Sequence, residues 1–333
     1  VRVLHLASDD AWGGAERALL GIVDATRGRE GCEVSALLFN AGRLAAELRA
    51  RGVEVAVLDE RTLSLGRIAR ALRLRIAEER IDVVHAHRYK EILLAALAAP
   101  RGCRVVVTAH GLEPWRQAGL PASLRTWSCL LAARLAGARF AAVSAELADR
   151  LGRRLGRSRV VQVPNPLAVS RAPAPVPDLR ARCGWSAGRP LVGFVGRLEV
   201  VKGPDRLLDV ARRCAPEVGF VVLGGGSLAA SLAARVAAED LAGRVVLLGE
   251  VPDAAAYLPQ LDALAMTSRH EGLPMVLLEA AAAGLPVVAY DVGGVGEVLD
   301  GSPAARRIPD GDAAAFAAAL TSVLAQPEAA RAA

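Results

Sequence analysis

Five side chains stand out for their type and spacing: Glu271 and Glu279, eight positions apart; Arg197 and Lys202, five apart; and His110, beside a glycine. The two glutamates lie in SRHEGLPMVLLEAAAAGLPVVAYDVGGVGEV, residues 268–298. An apolar run, Ala263–Met266, predicts a buried strand leading into it. Gly272-Leu273-Pro274 marks a tight turn, and Met275–Ala283 has the composition of a helix. Glu271 is thus expected in a strand-to-helix loop and Glu279 inside the helix, a turn or two deeper. Free amides at a helix N-terminus favour an anion, and carboxylates accept from hydroxyls. A ligand with phosphates at one end and sugar hydroxyls at the other, a nucleotide sugar, would use both.

The cations fit the same ligand. Gly193–Leu198 leaves a strand-like run and Lys202-Gly203 opens the next helical stretch, so Arg197 and Lys202 come from one loop. A guanidinium fork and an ammonium point charge both suit a pyrophosphate. Gly224-Gly225-Gly226-Ser227 follows the next strand and either approaches the same phosphates or only turns the chain. Near the start, Ser8–Glu16 reads SDDAWGGAE, with Gly13-Gly14 opening a helix where backbone amides can come close to a phosphate or sugar. It is not the GxGxxG dinucleotide fingerprint, which counts against an NAD-dependent oxidoreductase, and Asp9-Asp10 reads as turn chemistry.

His85 and His87 end the fourth predicted strand and His110 ends the fifth, where ligands bind in open parallel sheets. We read His85 as structural and His110 as functional, because Gly111 frees the backbone to bring the ring close to a ligand. Trp115 and Arg116 follow in an irregular stretch suited to shaping an acceptor pocket. Two histidines without a neighbouring carboxylate pair argue against zinc. Residues Pro121–Ala136 read as a helix with Leu124, Trp127, Leu130, Leu131 and Leu135 on one side, a stripe expected to pack in the core, with a membrane-surface role as the alternative.

The elements that must position these groups alternate along the chain. Strand-like runs at Val1–Ala7, Glu33–Leu38, Val53–Leu58, Val83–His85, Arg104–Thr108, Phe140–Val143 and Val160–Val163 are separated by helical patterns. Pro164-Asn165-Pro166 and the prolines at 173, 175 and 177 end that series. A second series runs through Leu191–Val195, Gly219–Leu223, Val245–Leu248, Ala263–Met266 and Val287–Tyr290. The expectation is α/β: two Rossmann-like domains, residues 1–170 and 171–333, whose parallel sheets face across a cleft.

Composition narrows the partners. Aromatic residues are 4% of the chain and unclustered, which excludes a base-stacking platform and argues against nucleic acid. The five cysteines lie far apart without CxxC spacing and read as reduced core residues of a cytoplasmic protein. The chain opens on a strand-like run, which predicts no signal peptide, and no apolar run approaches the ~20 residues that cross a bilayer. Residues 1–170 carry 26 basic against 17 acidic side chains, and residues 171–333 carry 15 against 18. The basic half is expected either to face an anionic partner, such as a phospholipid surface or a phosphorylated acceptor, or to be a solvated arginine-rich surface.

Together GGAER (13–17), TAHG (108–111), GRLEVVKG (196–203), GGGS (224–227) and the E-x7-E block running on to GLPVVAYDVGGVGEV resemble the retaining glycosyltransferases of family 4, of the GT-B fold. The resemblance covers nearly the whole chain. It implies an N-terminal acceptor-binding domain and a C-terminal domain for a nucleotide diphosphate sugar. Arg197 and Lys202 would neutralise the diphosphate without a metal, and no cofactor is implied. Glu279 would hold the ribose, and Glu271 with Gly272, Leu273 and Met275 would grip the donor sugar and distal phosphate. His110 would contact the sugar near its reacting end. Gly14, Gly196 and Gly225 would leave room for the ligand, and Val251 would mark the backbone that meets the base. The implied reaction moves a hexose to a lipid-linked or polysaccharide acceptor in envelope, capsule or lipopolysaccharide synthesis, in the cytoplasm or at the inner face of the plasma membrane. A nucleotide-sugar 2-epimerase and a non-catalytic nucleotide-sugar-binding protein are the alternatives. The family's C-terminal helix usually returns to the first domain, whereas this chain ends soon after the helix that Asp312 is expected to cap, which predicts a shortened C-terminus.

Overall fold

The computed structural model describes residues 1–9, 12–111, 120–167 and 175–325, with the side chains of 120–127 outside that description. Trp115 and Arg116, the acceptor-pocket candidates, lie outside the described residues. The chain divides into two compact units, Val1–Val169 and Ser170–Ala333.

Apolar runs of four to six residues in the first unit become strands because a parallel sheet buries both faces. These are β1 (Arg2–Ala7), β2 (Glu33–Leu38), β3 (Glu54–Val57), β4 (Val83–Ala86), β5 (Arg104–Ala109), β6 (Arg139–Ala142) and the shorter β7 (Val160–Gln162). Between them run α1 (Gly14–Thr26), α2 (Arg43–Ala50), α3 (Leu65–Glu78), α4 (Tyr89–Ala98), α5 (Leu120–Leu135) and α6 (Ala145–Leu155). The order β3-β2-β1-β4-β5-β6-β7 is parallel throughout and reverses direction between β1 and β4. Loops after those two strands diverge and leave a crevice at their carboxyl ends.

The second unit repeats the plan. It has α7 (Leu179–Arg182), β8 (Leu191–Val195), α8 (Pro204–Ala211), β9 (Gly219–Leu223), α9 (Ala229–Ala238), β10 (Val245–Gly249), β11 (Ala263–Met266), α10 (Met275–Ala282), β12 (Val287–Tyr290), α11 (Val295–Leu299), β13 (Ala305–Ile308) and α12 (Ala313–Ala325). The sheet order is β10-β9-β8-β11-β12-β13, again parallel, with its reversal between β8 and β11. Its core joins Leu191, Phe220, Leu264, Val288 and Phe316, and Tyr290 meets Phe316 edge-on at 4.9 Å.

Caps are local and legible. Asp312 Oδ1 accepts from the Ala315 amide at 2.9 Å, as its place before α12 predicts. Asp9 is more informative: its Oδ2 accepts from the Ala45 amide at 3.1 Å, so it caps α2 from a different loop. A Cβ at Gly42 would lie 2.6–2.9 Å from that carboxylate, which explains glycine there.

Three expectations need correcting. The strand β13, ARRI in sequence, carries no apolar pattern because it is an edge strand whose Arg306 and Arg307 are exposed; it exists through backbone pairing with β12. Among the described side chains of α5, Cys129, Leu130 and Ala133 are buried whereas Leu131 and Leu135 are 56% and 79% exposed, so the leucine stripe is not one core face; Leu124 and Trp127 lie outside the described side chains. All five cysteines are free as expected, but only Cys129 and Cys214 are buried.

Gly203, before α8, adopts φ +60, and a Cβ there would sit 2.2 Å from the Thr267 carbonyl oxygen. Gly203→Ala is expected to cost at least about 1–3 kcal/mol. Gly243→Ala, with nothing within 4 Å of an added Cβ, should be near neutral. Thermal denaturation of both variants checks this; equal melting temperatures would refute the close approach.

Candidate functional site

In the second unit the sequence-selected residues converge on the carboxyl ends of β8, β9, β10 and β11. The loop after β8 carries Gly196, Arg197 and Lys202, and the segment after β11 carries Glu271, Gly272 and Leu273 before α10 begins at Met275. Lys202 Nζ donates to both oxygens of Glu271 at 2.8 Å. Ser268 Oγ donates to the same carboxylate at 2.6 Å. Glu271 is only 7% exposed, so these charge-assisted bonds offset the cost of burying it. The cation and carboxylate assigned to separate parts of a ligand are therefore bonded to each other.

The two loops are tied at further points. Thr267 Oγ1 donates to the Gly203 carbonyl at 2.8 Å, and the Arg269 guanidinium forks onto Asp205 at 2.7 and 2.5 Å. That fork lowers the Asp205 pKa, hydrogen bonding from Arg269 outweighing burial. Phe194, Met266 and Val276 join Lys202, Ser268 and Glu271 around one small hollow. The Arg197 side chain, by contrast, is exposed and makes no hydrogen bond among the described residues; only its backbone carbonyl is engaged, by the Glu199 amide at 2.9 Å.

Glycines make the neighbouring edge. A Cβ at Gly224 would stand 1.9 Å from the Gly196 carbonyl oxygen, and one at Gly293 would stand 1.9 Å from that of Glu271. The Leu198 amide donates to the Gly225 carbonyl at 2.8 Å. Glu199 accepts from the Ser227 amide at 2.9 Å and its hydroxyl at 2.6 Å, and those bonds pull the Glu199 pKa down. Val251 lies just beyond β10, half-buried against the core, and Glu279 sits in the second turn of α10, also half-buried.

In the first unit Gly14 opens α1 after β1, and His110 follows β5. His110 is one of four packed imidazoles. His5 on β1 pairs in register with His85 on β4, and His87 follows β4. Successive ring centroids are 4.4 Å (His85–His87), 5.4 Å (His5–His87) and 5.6 Å (His87–His110) apart. His85 Nε2 meets Thr108 Oγ1 at 2.7 Å, which fits the structural role read for it. Burial favours the neutral ring. It lowers His5 and His87 well below the usual range, with neighbouring imidazoles adding to the effect, and brings His85 to about 4 and His110 to about 3. Beside the row, Arg88 pairs with buried Glu16 of α1, whose carboxyl is pushed up by burial.

The sequence reading missed His5, Ser268, Glu16 and Arg88. His5 sits inside an apolar strand with no motif around it; only the β1–β4 register sets it beside His85. Ser268 is three residues before Glu271 on a loop, a spacing that carries no periodic signal.

Comparison with known proteins follows the same outline. Residues 12–171 match the family model described as Glycosyltransferase Family 4, and residues 189–326 the one described as Glycosyl transferases group 1. The 2-deoxystreptamine N-acetyl-D-glucosaminyltransferase of Streptomyces fradiae is 37% identical over 140 residues, 40% of this chain, and the chain spans 33% of that relative's length. The alpha-maltose-1-phosphate synthase of Mycolicibacterium smegmatis is 32% identical over 285 residues, 76% of this chain and 72% of that protein. Anabaena HepE in complex with UDP-glucose superposes with a TM-score of 0.85 at 22% identity, over 99% of this chain and 92% of that one, which shows a common fold.

The imidazole row makes the first unit acid-labile. Unfolded histidine takes up a proton near 6.5, whereas His85 and His110 stay neutral in the fold down to about 4 and 3. The unfolded state therefore binds more protons as pH falls, and stability drops by about 1.4 kcal/mol per pH unit for each such histidine between those limits. Urea denaturation at pH 7.5 and pH 5 should show a clearly lower midpoint at pH 5; equal midpoints would mean that the rings charge in the fold.

Proposed function

The chain belongs to the group 1, family 4 glycosyltransferases of the GT-B fold, and from that premise we propose that it moves a hexose from a nucleotide diphosphate sugar to a hydroxyl acceptor with retention of configuration. The observation that carries this reading is the cluster at the β8–β11 reversal. There Lys202 is bonded to a buried carboxylate just before α10, and Arg197 stands on the same loop as Lys202. Cations and helix amides in one crevice stabilise negative charge growing on a departing diphosphate.

On this reading the acceptor oxygen bonds to the anomeric carbon as the bond to the diphosphate oxygen breaks. The acceptor proton passes to that leaving oxygen on the same face of the sugar. Arg197, whose side chain is exposed and unpartnered among the described residues, receives the diphosphate first. Lys202 then shares its charge between Glu271 and the phosphate, so the chain's own cations do the neutralising and no metal is assigned to the site. Glu271, with Gly272, Leu273 and Met275, holds the sugar and distal phosphate. Glu279 holds the ribose hydroxyls, and Val251 marks where backbone meets the base. Gly196 and Gly225 keep the approach open. In the first unit His110 contacts the sugar, and Gly14 leaves space for phosphate and acceptor.

The acceptor we propose is a lipid-linked or polysaccharide glycan of the cell envelope, met at the cytoplasmic face of the membrane. No helix among the described residues is long and apolar enough to cross a membrane. The basic first unit exposes Leu131 and Leu135 on either side of Arg134 on α5, a pattern suited to resting on anionic headgroups.

Purified protein incubated with UDP-, GDP- and ADP-sugars should release a nucleoside diphosphate from one donor, slowly without acceptor. Arg197→Ala should keep the fold, since the side chain is exposed, and lower turnover by about a hundredfold or more. Undiminished turnover in Arg197→Ala and in Lys202→Ala would remove the diphosphate assignment. Product formed without release of nucleoside diphosphate would favour a 2-epimerase, and donor binding without any turnover, acceptor supplied, would favour a binding protein.

A further inference from the structure

The imidazole row of the first unit has a direction. Nδ1 of His5 lies 3.1 Å from Nε2 of His87, and Nδ1 of His87 lies 3.3 Å from Nε2 of His110. A neutral imidazole has one N–H and one lone pair, so His87 donates one of these bonds and accepts the other. Both bonds must then run the same way. Either His5 donates to His87 and His87 to His110, leaving a spare N–H on Nδ1 of His110, or the reverse holds and the spare N–H falls on Nε2 of His5.

Neither end atom has a partner among the described residues. Both atoms are themselves buried, and the two residues differ in where they stand. His5 lies in mid-strand and is fully buried, so an N–H stranded there stays unsatisfied, whereas a stranded lone pair is the cheaper defect. His110 follows β5 at the carboxyl edge of the sheet, where ligands of open parallel sheets bind; its Nδ1 is shielded from solvent, but the residue is partly exposed, so a ligand docking at that edge can bring an acceptor to it.

We propose that His5 and His87 are positioning residues that hold His110 with its proton on Nδ1, so that His110 offers an N–H to an oxygen of the bound donor sugar. The assignment to a sugar rests on the glycosyltransferase reading; the tautomer does not. Burial keeps the three rings neutral, which the relay requires. In this state the nitrogen of His110 that faces the ligand has no lone pair, so His110 orients the sugar and does not take the acceptor's proton.

A bound cation is the competing use of these rings. Nitrogens of His5, His85 and His87 lie within 4.8 Å of one another, a loose fit to a zinc-like ion. No carboxylate is bonded to any of these rings among the described residues, and the Arg88 charge already depresses His87 and His110. A dication there would add buried positive charge beside Arg88, whose partner carboxylate, Glu16, is already engaged.

Imidazole 15N shifts read the tautomer directly in the intact, ligand-free protein at pH 7, with His110→Gln identifying the His110 signals. The expected spectrum has the proton on Nδ1 of His5, His87 and His110. In His87→Phe, which keeps a ring but removes its nitrogens, His110 should turn to a tautomer mixture, and kcat/KM for the donor should fall roughly five- to tenfold. A proton on Nε2 of His110 in the unaltered protein overturns the proposal. So does an unchanged His110 tautomer in His87→Phe, or proton-free facing nitrogens on His5 and His87 that shift together on chelation, which would mean a metal. The unaltered protein decides the matter even if the variant fails to fold, and because the spectrum needs no donor, loss of the glycosyltransferase reading would leave it standing.

Discussion

A carboxylate buried as deeply as that of Glu271 is costly unless a cation and hydrogen-bond donors meet it, and Lys202 with Ser268 does so. The second unit's site depends on that contact. It ties the loop after β8 to the segment after β11, the two strands between which the sheet reverses. It also sets the start of α10, and with it the placing of Gly272, Leu273 and Glu279. Thr267, Arg269 and Asp205 repeat the tie, so the pair rests on a stiff frame.

The same closeness accounts for the glycines. Gly203, Gly224 and Gly293 each lie where a Cβ would meet a carbonyl oxygen of another loop at 1.9–2.2 Å. These contacts bring backbone, and not long side chains, to the rim of the crevice. On the proposed reading, an anion entering there meets one exposed guanidinium and one ammonium already engaged. On the same reading, donor binding is then an exchange of partners around Lys202, which limits how much a phosphate gains in the ground state and leaves room for gain as charge grows on it.

The first unit solves a different problem. Four imidazoles packed into the β1–β4 reversal have no carboxylate bonded to them among the described residues, and burial makes them neutral. Neutral rings in contact must share their protons in order, so the burial of His5 bears on the chemistry of His110, 105 positions away in the chain. Arg88 beside the row is itself tied to Glu16 at the start of α1, which joins the glycine-rich opening of that helix to the end of β4.

Much of this was legible in the residues alone. Apolar runs separated by helical patterns determine parallel strands, because each run must be buried on both faces, and β8, β9, β11 and β12 fall at the expected residues. β13 was not legible, since pairing along an edge needs no apolar pattern. Glu271, Arg197, Lys202 and His110 were visible because glycine and proline mark the strand ends where they sit, and Glu279 because it falls in the helix that follows. Their partners were not. That Lys202 is bonded to Glu271, that Asp9 caps α2, and that His5 abuts His87 all depend on strand order and register. Sequence by itself determined which residues stand at strand ends, because turn and burial signals are local; tertiary structure alone decided which of them touch, because hydrogen bonds and ion pairs act over about 3 Å between residues that the chain separates by tens of positions.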